Sequence, residues 1–220
     1  MMQKTVALIH TTAATIEPLK NRLTSLLPNV TVRSYLDDSL LPQINAQGRI
    51  NEDCAQRFFL LCQSAALARP DAMLCACSSV GELVEQFAAI LNIPFLRIDE
   101  PMACEAVLRG GQIKVLATMN STLAPTLALI RRKGAGAPLR IESAVIEGAG
   151  ELLSAGRFDD YKRLLRQELA RYAAECNTVV LAQASMAQGL EGMSEDLQAK
   201  FLTSPASGLA ALVNLLQHKE

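Results

Sequence analysis

Apolar positions recur along the chain in two alternating rhythms. Short runs at Thr5 to Ile9, Val30 to Tyr35, Ala72 to Ala76 and Phe95 to Ile98 have the length and β-branched content of strands. Between them, about Ala14 to Leu27, Glu52 to Ala68 and Val80 to Leu91 repeat apolar residues at helical spacing. Beyond Pro101, which suits the first position of a helix, the alternation begins again. A helix ending at Gly110-Gly111 precedes strands at Ile113 to Thr118, Leu139 to Val145 and Thr178 to Ala182, separated by helical stretches at about Leu123 to Arg132 and Phe158 to Glu175. A helix over about Gln188 to Lys200 and another after Ser204-Pro205 complete the pattern. Strands alternating with helices make parallel sheets covered on both faces.

The two rounds resemble each other. "TVALIHTT" (5–12) aligns with "VLATMNST" (115–122), and "ACSS" (76–79) with "AQAS" (182–185), which sets Cys77 opposite Gln183. An α/β protein of two similar lobes follows: residues 1–99 with a returning C-terminal helix at 205–220, and residues 100–204. Ligands of open parallel sheets bind beyond the carboxyl ends of the strands, so the expected site is the cleft between the lobes.

With 220 residues, half of them hydrophobic, the chain can bury a substantial core. A net charge of −1 with interspersed signs gives no footprint for nucleic acid or a membrane surface, so the expected ligand is small. No apolar stretch approaches a membrane span and the N-terminus does not read as a signal peptide, which makes a cytoplasmic protein with reduced cysteines the expectation. Cys75 and Cys77 form C-x-C, which is not a chelating loop, and no metal site is expected. Two-lobed enzymes of this size often form homo-oligomers, but no stripe assigns an interface.

Chemistry concentrates at "LCACSSVGE" (74–82). Ser79-Val80-Gly81-Glu82 has the form of a capping box with Ser79 as N-cap, placing Cys77 at a strand end just before a helix N-terminus. Helix-start N–H groups favour thiolate, so the Cys77 pKa is expected to fall toward neutrality, giving a base or nucleophile. The other cysteines read as small buried apolar residues. Thr11 and Thr12, Ser78 and Ser79, and Asn120, Ser121 and Thr122 offer hydroxyls, an amide and helix-start N–H groups that suit a carboxylate. His10, Tyr35 and Arg49 form a second tier. Tyr35 precedes about fifteen residues without regular pattern, which read as a lid carrying Arg49.

The C-S-S turn, the T-x-N-S-T turn, the strand end at Gln183 and the closing "TSPASGLAALV" resemble the aspartate/glutamate/hydantoin racemase superfamily over nearly the whole chain. The resemblance implies two flavodoxin-like lobes, no cofactor or metal, a small carboxylate substrate, and a cysteine from each lobe on either side of the substrate α-carbon. Cys77 matches the first of these. In "LAQASMA" the second is replaced by Gln183, whose amide can bind a carboxylate beside Ala184 and Ser185 but cannot carry a proton near neutral pH. Three outcomes stay open: one-sided acid/base chemistry by Cys77 with Ser185, His10 or water opposite; covalent addition of its thiolate, giving isomerisation or lysis; or binding of a small acid without reaction. An isomerase or racemase is expected, with a lyase or decarboxylase as the alternative.

Overall fold

A computed structural model describes residues 3–218. The strands and α-helices run β1 Thr5–His10, α1 Ile16–Leu26, β2 Thr31–Leu36, α2 Leu40–Gln47, α3 Glu52–Leu67, β3 Ala72–Cys75, α4 Gly81–Leu91, β4 Phe95–Arg97, α5 Glu100–Arg109, β5 Gln112–Ala117, α6 Asn120–Lys133, β6 Arg140–Val145, α7 Ala149–Ser154, α8 Phe158–Glu175, β7 Thr178–Leu181, α9 Glu195–Gln198, β8 Phe201–Thr203 and α10 Ser204–Gln217. Every strand pairing is parallel, in two four-stranded sheets ordered β2-β1-β3-β4 and β6-β5-β7-β8. The fold is α/β with two sheets of identical strand order. Two compact units divide the chain, Met1–Ile98 with Pro205–Glu220, and Asp99–Ser204.

In the first unit, β1 and β3 are buried on both faces, so each strand feeds two cores. Ala7, Ile9, Met73 and Cys75 pack with Phe58, Cys62 and Val84 from α3 and α4. Val6, Leu8, Ala72 and Leu74 pack on the opposite face with Leu19, Leu23, Leu209 and Leu212 from α1 and α10. This period-two division is what a doubly covered parallel sheet requires. α10 approaches so closely that a β-carbon at Gly208 would lie 2.5 Å from the Ile98 carbonyl oxygen.

The second unit repeats the scheme. Leu116, Val179 and Leu181 face Tyr161, Leu165 and Leu169 of α8. Ile113, Val115, Val180 and Leu202 face Met102, Ala106, Leu129 and Ile130 of α5 and α6. The helix after β4 therefore covers the second sheet and the helix after β8 covers the first. Each half of the repeat lends its last helix to the other unit. Among the described residues, no helix is long and apolar enough to cross a membrane.

Four segments differ from the sequence-based expectation, one of them the short α7, which lies where no element is expected between Val145 and Phe158. The stretch after Tyr35 is not an irregular lid: α2 forms there because Leu40 and Ile44, one turn apart, bury against the α3 core. Its start is pinned by Asp37, which accepts from the Ser39 amide (3.1 Å) and hydroxyl (2.6 Å) and pairs with Arg57 of α3 (2.5 Å). The helix expected over Gln188 to Lys200 is instead a 3₁₀ segment, Ala184–Leu190, followed by the short α9. Gly192, at φ +79°, breaks the path between them. β8 was not expected as a strand, and three residues are too few to show a period.

Candidate active site

Ladder hydrogen bonds fix which residues leave each sheet together. In the first unit the Ala76 amide donates to the Ile9 carbonyl (2.9 Å) and the Asp37 amide to the His10 carbonyl (3.2 Å). In the second, the Ala182 amide donates to the Leu116 carbonyl (2.9 Å) and the Ile146 amide to the Ala117 carbonyl (2.8 Å). Ile9 thus corresponds to Leu116 and Ala76 to Ala182. It follows that Cys77 corresponds to Gln183, as the sequence alignment of the repeat has it. Thr11, however, corresponds to Thr118. The alignment of residues 5–12 with 115–122 is therefore displaced by three residues, because hydroxyl-rich turns follow both strands and mimic each other without sharing a ladder position.

The two corresponding pairs behave differently. In the second unit Gln183 is buried and its Oε1 accepts from both the Thr118 amide (2.6 Å) and the Thr118 hydroxyl (2.9 Å). The side chain is a brace between the ends of β5 and β7. In the first unit the shorter Cys77 side chain stands partly exposed. Thr11 and Ser79 hydroxyls and the Ser79 and Val80 amides lie near enough to its sulfur to favour thiolate. Yet the Thr11 and Ser79 hydroxyl oxygens are buried without a well-formed hydrogen bond to any group. Two unsatisfied hydroxyls beside one sulfur are costly in a closed protein and fit a place where another molecule's polar atoms enter.

The electrostatics correct the sequence-based expectation. Burial outweighs these donors and pushes the Cys77 thiol above its ordinary value, instead of lowering it toward neutrality. The capping box does not form either. The chain first makes a 3₁₀ turn, Ser78–Val80, with Cys77 extended at φ −128° and ψ 116°, and α4 begins at Gly81. Ser79 lies inside that turn and Glu82 points to solvent, so neither serves as a cap. Cys75, buried below, donates its S–H to the Cys77 carbonyl (3.6 Å). Cys62 is an ordinary core thiol, pushed up to about 12 by burial.

The remaining candidates divide. His10 is fully buried at the end of β1. Thr15 donates its hydroxyl to the Thr12 carbonyl (3.1 Å), so at 2.8 Å from His10 Nδ1 it can only accept. This network assigns the proton to Nδ1 and leaves Nε2 as a buried acceptor with no partner. Burial lowers the His10 pKa from 6.5 to about 4, so the ring is neutral near pH 7. Thr12 accepts from the Ala14 amide (3.4 Å) as a local cap. Tyr35 packs partly buried against the α3 core, and Arg49 is exposed beyond α2. Ser78 is buried within the 3₁₀ turn.

In the second unit α6 begins at Asn120, which is exposed; Thr122 donates back to the Met119 carbonyl (2.9 Å), and the Ser121 hydroxyl is buried without a partner. Ala184 opens the 3₁₀ segment after Gln183. Ser185 lies 3.0 Å from the hydroxyl of Tyr161, a fully buried residue of α8 that is also close to Thr118. Gln183, Thr118, Tyr161 and Ser185 thus form one polar network. Sequence reasoning missed Tyr161, which reads as a core position of α8. A tyrosine among Leu165, Leu169 and Tyr172 on an apolar face gives no sign of where its hydroxyl goes.

A family model described as Asp/Glu/Hydantoin racemase matches residues 6–213. The chain belongs to this family. Among solved structures it is similar to a glutamate racemase isoform from Bacillus anthracis, with 15% identity, TM-score 0.72 and coverage of 100% of this chain and 84% of that one. It is also similar to a maleate isomerase from Pseudomonas putida S16 (12% identity, TM-score 0.63, covering 97% and 92%) and to an arylmalonate decarboxylase (10% identity, TM-score 0.60, covering 99% and 94%). At these identities the structures show a shared fold. A comparison with curated proteins gives no match.

For this member of the racemase family, the Gln183 brace has a measurable weight. Replacing Gln183 with Ala leaves the buried Thr118 amide unpaired and should destabilise the protein by about 1–3 kcal/mol, read from the urea midpoint. His10 gives a pH signature. Its folded pKa lies below its unfolded value, so the unfolded chain binds the proton first as pH falls. Stability is therefore complete above 6.5 and declines toward pH 4, by at most about 3 kcal/mol. A His10→Gln variant should show a shallower decline across that window in denaturant titrations.

Proposed function

We propose that this racemase-family protein is a cofactor-independent isomerase that moves a proton at the α-carbon of a small carboxylic acid, with Cys77 as the acid/base group. The observation that carries this reading is Cys77, a residue only partly buried, whose sulfur is flanked by two amides and by the Thr11 and Ser79 hydroxyls, which lack well-formed partners. Those donors suit the oxygens of a carboxylate and the charge that develops on them as the α-carbon becomes planar. In the forward step Cys77 first gives its thiol proton to solvent as the substrate's carboxylate settles on the neighbouring donors; the thiolate then takes the α-hydrogen as a proton, re-forming S–H, and the C–H electron pair moves into the carboxylate, giving an enediolate. Return of a proton to carbon restores the acid. Gln183, committed to Thr118, acts here as a holding residue and carries no proton.

A second reading is favoured by one specific observation, the burial that keeps Cys77 protonated. A thiol at rest is ready to give a proton. In a decarboxylation the C–C bond to one carboxylate breaks, CO₂ departs, the electron pair remains in the enediolate and the Cys77 S–H supplies the new C–H. Water then returns a proton to the sulfur. A structural neighbour named as an arylmalonate decarboxylase makes phenylmalonate a suitable probe.

Proton NMR in D₂O, with separate enantiomers of aspartate and glutamate, with maleate and with phenylmalonate, tests both readings. Deuterium wash-in with loss of optical activity is expected for the proton-moving isomerase; release of CO₂ from phenylmalonate marks the decarboxylase, and cis–trans conversion of maleate without α-proton exchange would instead mark covalent addition of the thiolate. Cys77→Ala should lower the rate by roughly 10²–10⁴-fold. Turnover that survives this substitution would overturn both. In the ligand-free protein, iodoacetamide should modify Cys77 with a pH midpoint above the value of about 8.5 for a free cysteine. A midpoint near neutrality would instead mean that thiolate is the resting form.

A further inference from the structure

The turn that carries Cys77 is closed from below by a buried cation that the proposed chemistry does not use. Arg97, the last residue of β4, is 1% exposed. In the ladder it is the partner of Cys75, two residues before Cys77. Its side chain leaves the strand and returns to the first residue of α4, so that a β-carbon at Gly81 would run into the guanidinium, with Nε only 2.7 Å away. Through Nη1 it donates to Glu85 Oε1 (2.8 Å), one turn further along α4. β3, the Ser78–Val80 turn, α4 and β4 therefore form a loop of chain that the Arg97 side chain ties shut.

We propose that Arg97 is a positioning residue for Cys77: its guanidinium, seated against Gly81 and anchored on Glu85, fixes where the 3₁₀ turn delivers the Ser79 and Val80 amides to the sulfur. Two facts connect the clamp to the thiol. The Gly81 amide closes the turn by donating to the Ser78 carbonyl, so a shift of Gly81 moves the turn as a unit. The groups that favour thiolate at Cys77 are all uncharged and three of the four belong to that turn: the Ser79 amide, the Val80 amide and the Ser79 hydroxyl, with Thr11 from the end of β1 as the fourth. A side chain at Gly81 would take the guanidinium's place and push Arg97 out of it. Arginine is required because lysine brings the charge without the planar fork that contacts Gly81 and Glu85 together.

The inference rests on Cys77 being the working thiol, but its test needs no substrate. Iodoacetamide modification of each cysteine is followed by mass spectrometry across pH in wild type, Gly81→Ala, Arg97→Lys and Glu85→Gln. Glu85 is 40% exposed and Gln keeps an acceptor for Nη1, so its variant is the mildest of the three substitutions, and far-UV circular dichroism identifies the variants that are folded. The expected result is an upward shift of the Cys77 midpoint, about one pH unit and hence tenfold in rate at fixed pH for Gly81→Ala and Arg97→Lys, and smaller for Glu85→Gln. Cys54 and Cys62, buried in α3, should stay protected. An unchanged or lowered Cys77 midpoint in the folded variants would overturn the proposal. So would a rise in Cys54 and Cys62 reactivity in step with Cys77, since that is what general loosening produces. Loss of the catalytic reading is decided separately, by the turnover of Cys77→Ala.

Discussion

The pairing of β1 with β3 governs the end of the first sheet. Once the Ala76 amide has bonded the Ile9 carbonyl, the ladder has no further rungs, and Thr11 and Cys77 leave it side by side on the face that carries α3. A sulfur in that place is subject to two opposed influences. Low dielectric surroundings favour the neutral thiol, while amides of the following turn and nearby hydroxyls favour the anion. In the free protein desolvation dominates. Cys77 therefore rests as a thiol; under the proposed function, the donors around it are left for the oxygen atoms of a substrate.

The second sheet shows what the same backbone does with a different side chain. Thr118 and Gln183 leave β5 and β7 from the positions equivalent to Thr11 and Cys77, but an amide is long enough to reach across and accept from both donors of the threonine. One side chain satisfies its neighbour; the other leaves it open. The asymmetry of the two units thus comes from side-chain length and hydrogen-bonding capacity on a common scaffold. Tyr161 extends this network to Ser185.

Legibility in the sequence follows physical scale. The long helices and the buried central strands could be read because a face of three or four turns, or a strand buried on both sides, imposes a period or an unbroken apolar run. α2 escaped because its burial rests on only two residues, Leu40 and Ile44, and contains Pro42. The capping box at Ser79 misled because S-x-x-E is compatible with a helix that starts at Val80, one residue before the start adopted, whereas the chain makes a 3₁₀ turn over Ser78–Val80 first. The Arg97 guanidinium beside Gly81, contributed by a strand sixteen residues on, could not be read from that local motif either. The repeat could be seen, but its register at β1 and β5 could not, since polar turns after both strands align by composition while the ladder counts rungs.

From sequence alone came the α/β class, the two-fold repetition, the correspondence of Cys77 with Gln183 and the family, because each depends on local periodicity or on residues close together in the chain. Only tertiary structure decided the protonation of the thiol, the engagement of Gln183 with Thr118, the tautomer of His10 and the contact of Arg97 with Gly81. These depend on how much water surrounds an atom and which distant strand ends beside it. Neither quantity is written in the spacing of residues along a chain.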